Sequence, residues 1–506
     1  MLSKFSLYRL LLPTLAAVIL VSRFEERVVC SFDANGADET SSSSRSISSP
    51  VPIVADGECG GGEAVHTQWE EAAPATADVK FTSVLDGTLG PSDAVMTLLV
   101  NGLVYNPMPV GKSHILMAGT SVVAILQDQQ GFSWSNLEGL PGLSIIDVNG
   151  SVVVPGFIDM HVHVIGGGGE LGPASRTPEA GLSQLVNAGL TTVVGILGTD
   201  CVSRSLENLR VKAVALKDDG LTAYMWSGCY RVPSPTITGS LIRDMVLIDE
   251  VVGAGEIAIS DHRGSWPSTD VSVLSPDLLK MVSDARVGGM LTGKAGLVHA
   301  HMGQGPTMLD PLWDVINISK GAIPITQFVP THISSRGPGL KEAAERWVAE
   351  GGRADLTSDQ KGESAAFDTL VDWGKRPDFA LDRISISSDG FGSLPLYDTS
   401  GKLLEYGVAS PDSNLNTIRR LVLEAGWPLE RALQFSTVNP ATFLSLPRKG
   451  RLEVGVDADL LVIDAEQLDL QFVFAKGQMM KSPSWTKREP TPQKCLEFSE
   501  APGFRL

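Results

Sequence analysis

The sequence predicts an α/β fold: a closed, TIM-like (β/α)8 barrel with a small β-sandwich formed discontinuously from both flanks of the chain. Two observations carry this prediction. Residues 155–447 alternate between short apolar runs and helix-like windows, and about 290 residues suit an eight-stranded barrel. β-rich runs broken by Asn-Gly and Gly-rich turns lie at 94–153, and a similar run lies at 450–464, so the two flanks are expected to pair.

Each barrel element follows from a local pattern. Apolar runs rich in β-branched residues predict buried parallel strands, and helical windows lie between them. The strand candidates begin with a run starting at about Phe157 and continue with 191–197, 222–226, 257–260, 297–301, 325–330 and 384–387. Helix candidates include 178–188, 275–285 and 339–349. In such a barrel the chemistry lies at the carboxyl ends of the strands.

Composition changes along the chain predict the domain limits. In residues 1–30, Lys4 and Arg9 precede a short apolar run at 10–21, which predicts a signal peptide or signal anchor. Such a segment predicts localisation to the secretory pathway or an organelle, and extracellular, lumenal and plastid locations are all left open. Residues 31–90 are expected to be a low-complexity linker, because their Ser-rich stretch buries little apolar surface. The remaining limits are 91–154 and 448–484 for the β-sandwich, 155–447 for the barrel and 485–506 for a C-terminal tail.

Charge and cysteine content narrow the function. A net charge of −18 argues against nucleic acid or an anionic membrane as a partner, so membrane contact is expected only through the N-terminal anchor. The five cysteines include no CxxC pair, and therefore no thiolate zinc site or disulfide framework is readable. A Cys59–Cys495 bridge is left open for an oxidising compartment.

His161 and His163 are the first candidate metal ligands. The Pro-Gly pair at 155–156 lets a strand begin at about Phe157, and side chains alternate along a strand, so both imidazoles project to one side. Two histidines of an ordinary core are the alternative, but a core rarely takes two such imidazoles without polar partners. The pair therefore predicts half of a metal site.

Further candidates occur at other strand ends. His301, His332 and Asp389 each close an apolar run, and Glu256 precedes the run at 257–260, where the alternative is a surface glutamate. Imidazoles and carboxylates predict two divalent metals, zinc first, with other divalent metals left open. Two such ions lower the pKa of a bridging water to supply hydroxide, and Asp389 is expected to move the proton to the leaving amine. The predicted reaction is hydrolysis of an amide-type bond.

The segment 92–482 resembles the metal-dependent amidohydrolase superfamily and, within it, the isoaspartyl (β-aspartyl) dipeptidases. The superfamily signature is Pro-Gly-Phe-Ile-Asp-Met-His-Val-His at 155–163 together with Gly-Val-Asp-Ala-Asp-Leu-Leu-Val at 455–462. The narrower resemblance depends on a series of short motifs in a fixed order, at 166–170, 176–178, 194–200, 230–234, 259–263, 301–303, 330–332 and 387–393.

The resemblance implies a binuclear zinc metallo-dipeptidase with two Zn²⁺ per chain. It implies that His161 and His163 bind the more buried metal, that Asp389 completes this first site, and that His301 and His332 bind the other metal. Many relatives are oligomers, so a homo-oligomer is expected. The expected partner is a small dipeptide substrate.

The resemblance also assigns the substrate-binding residues. It implies that Glu170 holds the free α-amino group and that Tyr230 hydrogen-bonds the carbonyl oxygen as it becomes an oxyanion. Carboxylate binding is implied for Arg263, Ser393, Thr199 and Arg336. These roles fit a substrate with one ammonium and two carboxylates. For Thr199 and Ser393 the alternative is a turn or capping role.

Two positions depart from the family pattern. Glu256 stands where many members carry a carboxylated lysine that bridges the metals; a glutamate can bridge with its two oxygens but is shorter. Lys294 is interpreted as a loop lysine and not as its substitute. The second departure is one extra residue between His332 and Arg336. His299 is expected to support a ligand or to pack in the core.

Three functions remain after these observations. The first is hydrolysis of β-aspartyl dipeptides. The second is another amidohydrolase reaction, on cyclic imides or N-acyl amino acids, and the third is an inactive amidohydrolase-like scaffold. Glu170, Tyr230 and Arg263 favour the first, because a cyclic imide has no ammonium to clamp. The retained histidines and carboxylates argue against the third.

Overall fold

The computed structural model describes residues 95–127, 133–263, 271–397 and 403–488. The predicted N-terminal signal, the linker, Cys59 and Cys495 lie outside these residues, so what the sequence indicates for them stays a prediction. The same holds for localisation and homo-oligomer formation. Among the described residues we find no helix whose length and hydropathy together suit a bilayer crossing.

The N-terminal flank contributes five strands to a mixed sheet. They are β1 (Met96–Asn106), β2 (Met108–Ala118), β3 (Ser121–Gln127), β4 (Leu143–Asp147) and β5 (Val152–Pro155). One edge of β1 pairs with β2 in antiparallel orientation. The other edge pairs in parallel with β4 along its first half, and with β5 further along the strand. A Cβ at Gly102 would lie 2.7 Å from the Val153 side chain, so glycine allows β1 and β5 to approach.

Eight parallel strands follow in the central segment. They are β6 (Phe157–Val162), β7 (Leu190–Gly195), β8 (Thr222–Ser227), β9 (Val251–Ile259), β10 (Leu297–Met302), β11 (Phe328–Thr331), β12 (Ala354–Thr357) and β13 (Ile384–Ser387). Hydrogen bonds join β6 to β11 in chain order in a six-stranded sheet, and β12 pairs with β13. A parallel bridge between Val162 and Gly390 brings the chain after β13 back beside β6. Strand order and direction are those predicted for the barrel, whereas the hydrogen-bonded sheet itself is a curled half-barrel.

Helices alternate with these strands and continue after them. They are α1 (Leu182–Asn187), α2 (Leu206–Asp218), α3 (Leu241–Leu247), α4 (Val271–Thr292), α5 (Asp310–Ile318), α6 (Pro338–Ala349), α7 (Ala365–Gly374), α8 (Ser413–Leu423), α9 (Leu429–Leu433) and α10 (Val438–Phe443). Local sequence explains the starts of two of them. The Ser205 hydroxyl caps α2 by accepting a hydrogen bond from Asn208 N, and Pro338 occupies the first position of α6, where no N–H is needed.

The chain then returns to the first sheet. An antiparallel hairpin of β14 (Ser393–Tyr397) and β15 (Leu403–Val408) is followed, after α8 to α10, by β16 (Leu460–Ile463), β17 (Leu470–Ala475), β18 (Gln478–Ser482) and β19 (Trp485–Thr486). β16 pairs antiparallel with β5, so both flanks lie in one nine-stranded sheet. Two packed sheets are not established by this pairing, and the β-sandwich stays a prediction. β19 also takes the first two residues of the predicted tail, because the Thr486 hydroxyl is anchored on Asn187.

Three barrel strands differ from the sequence prediction, and one of them is β11, which begins at Phe328 because 325–327 form a 3-10 turn. β9 begins at Val251, so Glu256 lies inside the strand and does not precede it. Gly253 is needed for close packing inside this strand, since a Cβ there would lie 2.3 Å from Leu297 O. β12 was not predicted at all, because its buried Asp355 breaks the apolar pattern.

Lys449 connects the C-terminal flank to the barrel. Its buried Nζ donates to Thr222 Oγ1 at 2.7 Å, at the start of β8, and contacts the carboxylates of Asp459 and, at 2.9 Å, Asp457. Burial alone would lower the pKa of Lys449, but the two carboxylates raise it above its usual value. The lysine is therefore charged and paired in the folded protein.

We expect Lys449→Met to lower the free energy of unfolding by about 3 kcal/mol, because Asp459 then stays buried without its partner. Urea unfolding followed by tryptophan fluorescence measures this change. Lys280→Met is the control, since Lys280 is exposed and pairs with Asp284 one helical turn away, and its loss is expected to stay within about 0.5 kcal/mol. Equal losses in the two variants would contradict the role given to Lys449.

Candidate metal centre

The histidines predicted as ligands converge at the carboxyl ends of the barrel strands. His163, His301 and His332 line a cavity of about 840 Å³ together with Glu256 and Asp389, and His161 is fully buried beneath it. Among the described residues, two groups of side chains have ligand atoms that all lie within 4.8 Å of one another. One group is His161, His163 and Asp389, and the other is His161, Glu256 and His332.

The first group forms where β6 ends and the chain leaves β13. His161 lies in β6 and His163 directly after it, and both face Asp389, as the alternation of a strand predicts. His163 Nε2 lies 3.1 Å from Asp389 Oδ1, and His161 Nε2 lies 3.4 Å from the same oxygen. Asp389 has a φ of 52°, a left-handed conformation that aspartate and asparagine tolerate better than most residues.

The second group centres on Glu256. Its Oε1 lies 3.0 Å from His332 Nε2, and its Oε2 lies 3.6 Å from His161 Nε2, so the carboxylate faces both sides of the site. His301 is in neither group: its Nδ1 lies 2.5 Å from Glu256 Oε1. Lys294 donates to the carbonyl oxygens of two residues near α3, Met245 and Ile248, which agrees with its interpretation as a loop lysine.

Among the described residues, four buried polar atoms of these two groups have no hydrogen-bond partner. Besides His163 Nδ1, they are His161 Nε2, Glu256 Oε2 and Asp389 Oδ1, and these last three face one another. Leaving such atoms unpaired in the interior is costly, and a divalent cation would satisfy all three at once. Imidazole and carboxylate are ligands that zinc accepts. The residues present therefore fit a metal.

The electrostatics of the centre favour positive charge. Burial alone would raise the pKa values of Glu256 and Asp389, but His161 and the neighbouring imidazoles hold both well below their usual range. Burial alone would also lower the pKa of His161, yet the two carboxylates raise it to about 9. Burial lowers the pKa of His332 to about 3, so this imidazole is neutral and has a lone pair to offer.

Glu170 contacts three of the other predicted substrate-binding residues. The hydroxyls of Ser393 and Thr199 donate to its Oε1 at 3.3 and 3.5 Å, and Arg263 Nη1 lies 3.8 Å from the same oxygen. Thr199 and Ser393, predicted to bind substrate carboxylates, therefore contact a carboxylate of the chain itself. Arg204, which the sequence pattern did not reveal, holds the adjoining glycine-rich loop through the carbonyls of Ile165 and Thr177.

Arg263 also forms hydrogen bonds with Asp261, a residue to which the sequence analysis assigned no role. Its Nε and Nη2 donate to the two carboxylate oxygens of Asp261 at 3.0 and 2.9 Å, and Asp261 Oδ2 lies 3.0 Å from His301 Nε2. A carboxylate two residues before an arginine was the available signal. Arg336 donates through Nε to Met302 O and lines the cavity.

Tyr230 lies between the metal centre and the predicted substrate-binding residues, because it contacts both His301 and Arg263. Its hydroxyl is 3.0 Å from His301 Nδ1, and the Arg263 guanidinium stacks over its ring, with 5.4 Å from Cζ to the centroid. Burial raises the pKa of the Tyr230 hydroxyl well above its usual value, so the hydroxyl keeps its proton and acts as a donor.

A disulfide links two loops of the cavity. Cys201, two residues after Thr199, is bonded to Cys229, which precedes Tyr230. No disulfide framework was readable from the sequence, because nothing local marks these two cysteines as partners across separate strand-to-helix connections. The structure therefore corrects that reading.

We expect reduction of Cys201–Cys229 to lower the free energy of unfolding by about 3 kcal/mol, because the bond closes a loop between residues separated by 28 positions. Denaturation midpoints with and without a phosphine reductant measure this loss. The double variant Cys201→Ser/Cys229→Ser is the control and is expected to unfold at the midpoint of the reduced protein in both conditions. A reductant effect that persists in the double variant would assign the loss to other cysteines.

Comparisons with known proteins agree with this geometry. The profile of the Amidohydrolase family matches residues 363–487. A β-aspartyl dipeptidase from the keratin-degrading thermophile Fervidobacterium islandicum AW-1, solved in complex with the dipeptide β-Asp-Leu, is 40% identical, and the match covers 78% of this chain and 99% of that one with a TM-score of 0.70.

Two further relatives are more distant. A deacetylase from Agrobacterium fabrum is 26% identical over 404 residues, which cover 75% of this chain and 87% of that protein. The structure of N-acetylglucosamine-6-phosphate deacetylase from Pasteurella multocida is 15% identical, covers 76% of this chain and all of that one, and has a TM-score of 0.51. This last similarity concerns the fold alone.

Proposed function

The chain belongs to the amidohydrolase superfamily, and from that premise we propose that it is a metal-dependent dipeptidase that hydrolyses β-aspartyl dipeptides. The observation that carries the proposal is the placement of charges around the metal centre. Glu170 lies in the same cavity as two arginines, Arg263 and Arg336. A β-aspartyl dipeptide has one ammonium and two carboxylates, which this arrangement complements.

We assign the metal ligands from the two groups described above. His161, His163 and Asp389 would hold one divalent ion, and Glu256 and His332, with His301 beside them, would hold a second. Zinc suits these ligands best, and other divalent ions remain open. When bound, such ions polarise the scissile carbonyl and lower the pKa of water. Glu256 takes the place of a carboxylated lysine, so metal binding is expected to need no carbon dioxide.

Asp389 moves the proton in the proposed reaction. Its ionised carboxylate lies at the end of the barrel beside the imidazoles of His161 and His163, where it can accept a proton from the attacking water. The same carboxyl group then returns the proton to the leaving nitrogen, which departs as the amine. One residue thus serves both proton transfers.

Tyr230 stabilises the charge that develops on the carbonyl oxygen. Its protonated hydroxyl is a donor at the edge of the metal centre, and the buried environment strengthens such a hydrogen bond. Arg263 orients the ring from above and is itself fixed by Asp261. The donor is therefore held in place before the substrate arrives.

Glu170 and the arginines orient the substrate. Glu170 would bind the free α-amino group, with Ser393 and Thr199 holding its carboxylate in position. Arg336 would bind a substrate carboxylate through its terminal nitrogens, since its bond to Met302 O, the hydrogen bond found for it among the described residues, uses Nε. Arg263 would exchange part of its contact with Asp261 or Glu170 for the second carboxylate.

Hydrolysis of β-Asp-Leu by the zinc-loaded full chain tests the proposal. α-Asp-Leu, dihydrouracil and an N-acetyl amino acid are the control substrates in the same assay, and turnover confined to β-Asp-Leu is the expected result. Turnover of the N-acetyl amino acid alone would favour a deacetylase, as in the Agrobacterium relative. A protein that binds no zinc and turns over none of the four would be a scaffold.

A further inference from the structure

His299 contacts the metal centre from behind. It lies in β10, two residues before His301, and is fully buried. Its Nε2 is 3.0 Å from Nδ1 of His161, whose own Nε2 is one of the unpaired atoms that face Glu256 and Asp389. The two imidazoles are therefore joined by a hydrogen bond on the side of His161 that faces away from Glu256 and Asp389.

Trp226 and Gly255 form the packing environment of the His299 ring. The ring stacks on Trp226, with centroids 5.2 Å apart and planes 11° from parallel. Trp226 Nε1 donates to Met160 O at 2.8 Å, directly before His161, so one tryptophan contacts both strands. A Cβ at Gly255 would lie 3.0 Å from His299 Cβ, so the glycine next to Glu256 leaves room for this imidazole.

The hydrogen bond decides which nitrogen of His161 is free. A neutral imidazole carries one N–H, and the ring nitrogen that offers a lone pair to a cation must be the other one. If His161 offers Nε2, its proton is on Nδ1 and is donated to Nε2 of His299. In this arrangement Nε2 of His299, the atom within hydrogen-bond distance of His161 Nδ1, is the acceptor.

We propose that His299 is a positioning residue that fixes the tautomer and ring orientation of His161 and thereby sets the affinity of the centre for its divalent cation. The acceptor behind a metal-binding histidine is commonly a carboxylate, a backbone carbonyl or water. A neutral imidazole in that place adds no further negative charge to a centre that already contains Glu256 and Asp389. The inference uses the proposed function only in that the centre binds a cation.

Zinc affinity of the apo protein, measured by competition with a chromogenic chelator, tests this role. His299→Leu removes the acceptor and is expected to weaken zinc binding about 10- to 100-fold. His299→Gln places an amide oxygen near the position of Nε2 and is expected to recover most of that loss. His299→Asn, whose amide is one methylene shorter, keeps a polar group but not the contact and is expected to resemble His299→Leu.

Circular dichroism and thermal unfolding of the apo variants separate affinity from folding. Wild-type affinity in His299→Leu would overturn the proposal. So would equal weakening in the Gln and Asn variants with unchanged unfolding midpoints, because packing and not the hydrogen bond would then matter. If His299→Leu does not fold, the comparison of Gln with Asn decides. Hydrolysis of β-Asp-Leu is measured separately. A protein that does not hydrolyse β-Asp-Leu would contradict the proposed function but not the role of His299, and unchanged zinc affinity in the His299 variants would contradict the role of His299 but not the proposed function.

Discussion

Asp389→Asn is expected to lower kcat for β-Asp-Leu by about 10³-fold, because the amide can neither accept the proton of the attacking water nor return it to the leaving nitrogen. Asparagine suits this position, since it tolerates the left-handed backbone that Asp389 adopts at a φ of 52°. The loss is therefore expected in a folded protein. Steady-state kinetics of the zinc-loaded variant give kcat, and zinc content per chain is measured in the same preparation.

Asp372→Asn is the matched control for this variant. Asp372 is an exposed aspartate at the end of α7 that pairs with Lys341, away from the cavity, and its replacement is expected to leave kcat unchanged. Partial zinc loss in Asp389→Asn would show that the residue also serves as a ligand. A kcat within threefold of the wild type at full zinc content would refute the proton-transfer role.

Tyr230→Phe is expected to lower kcat by about 10²-fold with little change in KM, the effect of removing one donor to an oxyanion. Phenylalanine fills the same buried volume and keeps a ring face for Arg263, so only the hydroxyl is lost. Because burial raises the pKa of Tyr230 well above its usual value, the hydroxyl stays protonated and the ratio of wild-type to variant kcat is expected to stay constant from pH 6 to pH 9.

Tyr224→Phe is the control for the tyrosine variant. Tyr224 is the third residue of β8 and lines a different cavity together with Lys449, and its replacement is expected to leave both constants unchanged. A rise in KM with kcat preserved in Tyr230→Phe would mean that the hydroxyl binds substrate and transition state equally. That result would move Tyr230 from charge stabilisation to substrate binding.

The convergence of the candidate ligands was predictable from sequence because it depends on one rule of parallel barrels. The carboxyl ends of the strands meet at one face, so His161, Asp389 and His332, each at a strand end, must come together. The alternation of side chains then places His163 beside His161. Neither step requires knowledge of distant contacts.

The errors have the opposite origin. The predicted start of β9 was wrong because glycine usually indicates a break in a strand. Gly253 and Gly255 nevertheless lie inside β9, where the absence of a side chain leaves room for Leu297 O and for His299. β12 was missed because Asp355 is a buried carboxylate, and what makes its burial tolerable is three hydroxyls from other strands, those of Thr331, Ser385 and Ser387. Such long-range partners leave no local pattern.

The remaining omissions share this cause. Asp261 and Arg204 support Arg263 and the glycine-rich loop through contacts that form only when the loops are placed on the barrel. The bond between Cys201 and Cys229 likewise depends on two loops becoming neighbours. The sequence therefore indicates the groups that would meet the cation more clearly than the groups that hold them.

The pairing of β5 with β16 has a consequence for how the chain folds. The two strands lie about 300 residues apart in sequence, so this contact has one of the highest loop-closure costs in the molecule. During synthesis, β5 emerges long before β16, and its apolar edge has no strand to pair with until the whole barrel segment has been made. Chains truncated before Leu460 are therefore expected to associate through that edge, and completion of the sheet becomes a late step that follows assembly of the barrel.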